Sequence, residues 1–382
     1  MGNTQTQQPL EMTYCDLSGQ NQQAMMVIQL YMLPAFFLGV LGLGLPLNLL
    51  SLWVFSRRLK RWSRGTAFLF NLALADTSWL LILPFLVQYH LAQMNWTLGW
   101  QFCTAVRLVY HSYFYLSIFF VTCISVDRYA AIVHPLRSLA LLGRRPTSLL
   151  CISIWGFTLA FSSPVALMTL TQRCPRTNHT ICTMYVLLEN TRQSLPFSLY
   201  WSCVGFLLPL AAIGYCCCRS VQELRRRPGL QNRRGRHLTR VLSIALVLFA
   251  LFYLPYHLTR NAAIVVRAVH PWDQASWGPA DVAFSLEMCL CSLNTCVNPL
   301  FSCSAGRQFR QEFWGIFSRL CQCGSNPRPA AALQERALGP EEHGTAAVWA
   351  EGTACLTHNW FPSSRENVEP WRAEGRQAAQ KH

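Results

Sequence analysis

Residues 28–56 read IQLYMLPAFFLGVLGLGLPLNLLSLWVFS, a run without a charged side chain. It exceeds the roughly 20 apolar residues that a helix needs to cross a bilayer. Comparable stretches follow at 66–92, 103–133, 147–170, 194–219, 238–266 and 278–304, which makes seven crossings. Only 13% of the 382 residues are charged and 52% are hydrophobic, a balance that suits lipid better than water. A backbone in hydrocarbon must satisfy its own N–H and C=O groups, and these runs are too long for barrel strands, so helices are expected. The fold class is an all-α membrane protein: a seven-transmembrane helix bundle over 28–304, with a short amphipathic eighth helix over 305–323.

The net charge of +15 could point to a nucleic-acid partner, but the basic residues alternate loop by loop instead of covering one soluble face. The loop after the first crossing holds Arg57, Arg58, Lys60, Arg61 and Arg64, and the loop after the third holds Arg137, Arg144 and Arg145. The loop after the fifth carries a longer series from Arg219 to Arg240, whereas residues 1–26 contain no Lys or Arg. The positive-inside rule then places the N-terminal segment 1–27 outside the cell and the C-terminus in the cytoplasm, in a multi-pass plasma-membrane protein. The first 26 residues show no basic leader with an apolar core, so the first helix is expected to act as its own insertion signal. Residues 324–382 lack apolar periodicity and read as a disordered tail.

Of 17 cysteines, this topology exposes Cys15, Cys103, Cys174 and Cys182 to the oxidising side, where disulfides persist. Glycosylation sequons stand at Asn178 and Asn95, the latter close to the second helix. Beyond the seventh helix, Phe309, Phe313 and Phe317 with Arg307, Arg310 and Arg319 describe a helix lying on the membrane surface. Cys321 and Cys323 beyond them are candidates for lipidation, with two free thiols as the plainer reading.

Leu74-Ala75-Asp76 in the second helix, Asp127-Arg128-Tyr129 ending the third, Trp155, Pro209, Pro255 and Asn298-Pro299 together resemble the rhodopsin-like G-protein-coupled receptors. The likeness covers residues 28 to about 323. It implies that Asp76, with Asn48, Ser117, Asn294 and Asn298, forms a sodium pocket, the alternative being a water-filled polar cluster. It also implies that Asp127 pairs with Arg128 and that Arg128, freed on activation, meets a heterotrimeric G protein, with arrestin as a further partner. Cys103 should bond a cysteine of the loop before the fifth helix, and the spacing of Cys182 from Pro209 is similar to that in metabolite receptors. Cys15 and Cys174 are then left as a second candidate pair.

The sequence departs from the family pattern at Ser302 and Cys217, where tyrosines are usual, and Tyr215 is about half a turn away from the latter place. The inner end of the sixth helix, Arg233-Arg234-Gly235-Arg236, offers no acidic latch for Arg128.

Ligand chemistry should be legible between the outer halves of the helices. Arg107, His111 and Tyr115 share one face of the third helix with Tyr110 beside them, and Tyr253, Tyr256, His257 and Arg260 surround Pro255 on the sixth. An Arg high in the third helix with Tyr256-His257-x-x-Arg260 resembles the purinergic nucleotide, succinate and 2-oxoglutarate receptors, whose ligands are anions. Guanidinium suits such ligands because it stays charged and grips carboxylate or phosphate with two N–H groups. In the alternative reading the arginines pair with Glu189, Asp281 or Glu287, or reach water. Met288 stands where that branch has a further Arg, which disfavours a polyphosphate and leaves a carboxylate metabolite or anionic lipid as well served as a nucleotide.

Tyr110 occupies the place of the amine-receptor carboxylate, and the seventh helix has no Lys for a retinal Schiff base. No zinc-protease, nucleophile-elbow or phosphate-loop motif appears, so an enzyme is not expected, nor any metal or cofactor beyond sodium. The rival function is a receptor fold that does not signal, or one that is constitutively active, acting as a scavenger or as a partner of other receptors.

Overall fold

The computed structural model describes residues 26–59, 62–134, 144–167, 171–174, 178–182, 191–226, 233–270, 274–302 and 307–325. Cys15, Lys60, Arg61, Arg137, Glu189 and the segment 326–382 lie outside them, as do the side chains of Arg307, Cys321 and Cys323. Seven helices are long and apolar enough to cross a membrane: α1 Ile28–Arg58, α2 Arg64–Leu91, α3 Trp100–Val133, α4 Arg145–Ala166, α5 Ser194–Arg226, α6 Gly235–Val269 and α7 Ser276–Ser302. An eighth, α8, spans Arg307–Ser325.

The helix interiors follow from the sequence pattern. In α2, Leu69, Leu72, Ala73, Asp76, Leu80 and Leu83 recur every three or four residues and are buried, while Leu74 and Leu81 face outward at 41% and 58% exposure. Leucines exposed on this scale along every crossing would be costly in water and are ordinary in lipid. The bundle is thus apolar outside and carries its polar side chains within.

Helix ends differ from the apolar runs. α5 continues to Arg226 and α6 begins by Gly235, because Arg, Gln, Glu and Leu propagate a helix beyond the hydrocarbon and hydropathy registers lipid, not helix length. α2 starts where Ser63, as N-cap, accepts the Thr66 backbone N–H at 3.2 Å.

A two-stranded antiparallel hairpin, β1 Thr171–Arg173 and β2 Thr180–Cys182, interrupts the α4–α5 connection, an element absent from the all-α expectation. Three-residue strands carry too little alternation to be seen in sequence. The Cys103–Cys182 disulfide, with Cα atoms 5.9 Å apart, fastens β2 to the start of α3. Asn95 Oδ1 accepts the Thr180 N–H at 3.1 Å beside it, and Asn178 lies exposed with φ 59° in the hairpin turn. Cys174 is disulfide-bonded as well.

α8 buries Phe309 and Phe313, and Phe309 stacks on Phe55 of α1 with centroids 4.5 Å apart. Glu312 faces Arg58 at 3.8 Å.

Candidate functional site

α3, α4, α5 and α6 enclose a polar cluster around Arg260, at the end of the bundle that carries the disulfide. Arg260 lies one and a half turns beyond Pro255, where the missing N–H and the ring bulk loosen the helix. Its guanidinium is buried, at 4% residue exposure. Nη1 donates to the Tyr115 hydroxyl at 3.3 Å, and Nη2 lies 3.2 Å from the Ser198 carbonyl, from Ser202 Oγ and from His257 Nδ1. Every one of these partners is neutral. Among the described residues no carboxylate pairs with Arg260, and its Nε has no hydrogen-bond partner. Arg cannot shed its proton, so the charge stays.

The surrounding groups are held from several helices. Ser202 Oγ receives Asn261 Nδ2 at 2.8 Å and lies 3.0 Å from His257 Nδ1, and Ser198 Oγ donates to Asn261 Oδ1 at 2.7 Å. His111 is fixed through Nδ1 to Ser162 Oγ at 2.9 Å, and its ring lies 4.4 Å from that of Trp201. His257 stacks on Phe206 at 4.6 Å. The Nε2 atoms of His111 and His257 are both buried without a hydrogen bond. Arg107, at 1% exposure, is buried on the same α3 face, and His111 is within electrostatic range of both guanidiniums.

Tyr115 is seated by a residue that sequence reading passed over. A Cβ on Gly205 would overlap the Tyr115 ring, Cδ1 lying only 2.7 Å away, so glycine there makes room for the phenol that Arg260 touches. Ser198 and Ser202, four apart on α5, also went unnoticed, since serine pairs on an apolar helix commonly only satisfy their own backbone.

Two expected ligand contacts fall elsewhere. The Tyr253 hydroxyl turns away from Arg260 and donates to Ser117 Oγ at 3.0 Å while receiving Asn294 Nδ2 at 2.6 Å. Tyr110 packs against Trp79 and Tyr113, with ring centroids 4.9 and 5.9 Å away. Tyr256 remains beside Arg260, whose Cζ lies 5.2 Å from its ring centroid. The acidic partners of the alternative reading do not reach Arg260: Asp281 pairs with Arg267 at 2.6 Å, and Glu287 Oε2 is buried without a hydrogen bond.

Deeper in the bundle, Asn298 Nδ2 donates to Asp76 Oδ2 at 2.8 Å and reaches Ser117 Oγ at 3.2 Å. Asp76 Oδ1, Asn48 Oδ1 and Asn298 Oδ1 are buried acceptors without a hydrogen-bond donor, a donor set of oxygens that suits a hard monovalent cation.

At the opposite end, the ion pair described at Asp127 is with Arg64 of α2, at 3.2 Å, in place of the pairing expected from Asp127-Arg128 alone. Arg64 opens α2 and points across to α3, which spacing within one helix could not reveal. Ser302 is buried, and Cys217 Sγ lies 3.5 Å from Ser243 Oγ of α6. Tyr215 is 59% exposed, with its ring 6.0 Å from that of Tyr129, and so does not replace a tyrosine at Cys217.

Seven crossings around a buried polar interior, tied by a disulfide between the start of α3 and the next long connection, define a seven-helix membrane receptor. Residues 47–301 match the family model described as 7 transmembrane receptor (rhodopsin family), and the chain belongs to that family. Purinoceptor 4 of Rattus norvegicus is 31% identical over 337 residues, covering 87% of this chain and 91% of that receptor. Lysophosphatidic acid receptor 5 of Bos taurus is 33% identical over 281 residues, covering 72% and 76%. The uracil nucleotide/cysteinyl leukotriene receptor of Homo sapiens is 30% identical over 278 residues, covering 72% and 74%. The relatives place the chain in the purinergic-like branch, and neither they nor the family are enzymes.

Proposed function

We propose that this receptor binds an anionic small molecule or lipid from outside the cell and activates a heterotrimeric G protein. The observation that carries the reading is Arg260, a buried guanidinium surrounded only by neutral acceptors among the described residues. An uncompensated charge at this depth costs several kcal/mol, and a ligand carboxylate or phosphate offsets that cost on arrival. Arg260 Nε and the Nε2 atoms of His111 and His257 are the groups left to meet it. Trp201, Phe206 and Tyr256 supply apolar walls, which favour a compact anionic head on an apolar body over a polyphosphate. Related receptors named for nucleotides and for lysophosphatidic acid agree with that chemistry.

In this reading the disulfide end faces outward and the Asp127-Arg128-Tyr129 end faces the cytoplasm, in accord with the basic residues Arg57, Arg58, Arg64 and Arg145 at that end. Ligand contact at Arg260 shifts α6, the inner cleft opens, and Arg128 meets the G protein. Residues Asp76, Asn48 and Asn298, with Ser117 and Asn294 adjoining through Tyr253, hold a sodium ion that favours the closed bundle. Membrane lipids surround the outer face, and α8 lies at the cytoplasmic surface.

A second reading rests on Ser302 and Cys217, which replace residues the family uses to steady the active state: a receptor fold that captures ligand without signalling. G-protein dissociation in cells separates the two. Wild type and Arg128→Ala are compared without ligand and then with nucleotides, dicarboxylates and lysophosphatidic acid. An Arg128-dependent response supports the signalling reading, and silence with every G protein despite surface expression overturns it.

A further inference from the structure

The Asp127-Arg128 step is engaged from α2, at a point that motif reading leaves blank. Ser63 caps α2 and fixes its first turn. Arg64 Nε then reaches Asp127 Oδ1 at 3.2 Å, with the two side chains only 18% and 12% exposed. At the next residue, a Cβ added to Gly65 would stand 2.9 Å from Arg128 Nη2 and 3.2 Å from Asp127 Oδ2. The guanidinium and the carboxylate therefore both lie against the bare backbone of Gly65.

α6 supplies no such hold. Its first turns contain no Asp or Glu, and it meets α3 here through apolar contacts of Leu238 and Leu242 with Tyr129, Ile132 and Val133. Arg128 also borders a small cavity lined by Leu72, Val121, Ile124, Leu242, Ala245 and Phe301, so a displaced guanidinium has somewhere to go.

We propose that the first turn of α2 sets the threshold for releasing Arg128. Gly65 is the seat that keeps the guanidinium withdrawn, and Arg64 competes with Arg128 for the Asp127 carboxylate. Both are positioning residues, and the proposal rests on the reading that Arg128 is the group a G protein meets. Their effects have opposite signs. A methyl at Gly65 meets the far end of a flexible side chain and moves it out of its seat without forcing backbone apart. Loss of Arg64 leaves Asp127 to Arg128 alone and tightens the hold.

The test is basal nucleotide exchange by purified heterotrimeric G proteins on the full-length receptor in lipid nanodiscs, with no ligand added. Gly65→Ala is expected to raise basal exchange about fivefold. Arg64→Ala, introduced into Gly65→Ala so that a fall is measurable, returns exchange toward the wild-type level, and Arg64→Lys in the same background does not. A general structural defect would lower all three together. Exchange that is Arg128-dependent yet indifferent to Gly65→Ala, or changes of the same sign for Gly65→Ala and Arg64→Ala, overturns the α2 proposal alone. Exchange on the Gly65→Ala receptor that survives the further change Arg128→Ala overturns the coupling role of Arg128, and the α2 proposal falls with it.

Discussion

Arg260 and Arg267 stand seven residues apart on α6, two turns less about 20°, so they share a face. Both are buried, at 4% and 5% exposure, and each lies over aromatic rings. Arg267 donates to Asp281 of α7 at 2.6 Å beneath Trp277, whose Nε1 reaches the His270 carbonyl at 2.8 Å. That set joins the ends of α6 and α7 and is complete as it stands. Arg260, two turns deeper, has hydroxyls, a carbonyl and an imidazole but no carboxylate among the described residues. The same residue type on the same face therefore serves two purposes: a paired charge fastens helices, and an unpaired one awaits an anion.

The largest expected effect comes from removing the unpaired charge. Arg260→Ala should weaken the response to whichever anion activates the receptor about 100-fold, the equivalent of two charge-assisted hydrogen bonds. Surface expression should remain. Concentration–response curves for G-protein dissociation, set beside cell-surface labelling, check this. Unchanged potency would make Arg260 another fastening residue and end the contrast with Arg267.

Stability should separate the two arginines in the opposite order. Asp281→Asn strands the Arg267 guanidinium and should cost about 3 kcal/mol, seen as a lower Tm in detergent. Arg260→Met, in the ligand-free receptor, exchanges an uncompensated charge for apolar packing and should leave Tm level or raise it. A fall as large as that of Asp281→Asn would mean that the neutral shell already compensates Arg260.

Seven apolar runs suffice for the bundle, because lipid imposes one length and one backbone solution on every crossing. Arg107, His111, Tyr115, His257 and Arg260 were legible as a site for the same reason: a costly polar side chain at membrane depth stands out against leucine. What stayed hidden depends on distances between helices. The side of a tyrosine ring on which its hydroxyl lies is not written in spacing, which is why Tyr253 could be placed with the ligand when its hydroxyl joins Ser117 and Asn294. Arg64 looked like one more loop cation among five until α2 and α3 came together around Asp127. Gly205 carries no side chain to notice, and only the ring it admits gives it a purpose.

The smallest effects probe the neutral shell itself. Tyr115→Phe removes one acceptor, 3.3 Å from Arg260 Nη1, and keeps the ring that fills the space against Gly205. One long hydrogen bond to a charged group is worth about 1 kcal/mol here, so potency should fall roughly fivefold and no further. Gly205→Ala forces the ring itself to move and disturbs the shell from the other side. It should cost more than Tyr115→Phe and less than Arg260→Ala, because the guanidinium survives but loses its alignment. A loss for Tyr115→Phe as large as for Arg260→Ala would transfer the recognition role from the charge to the phenol. A Gly205→Ala receptor with wild-type potency would show that Tyr115 has slack, and that Arg260 is held in place by Ser198, Ser202 and His257 alone.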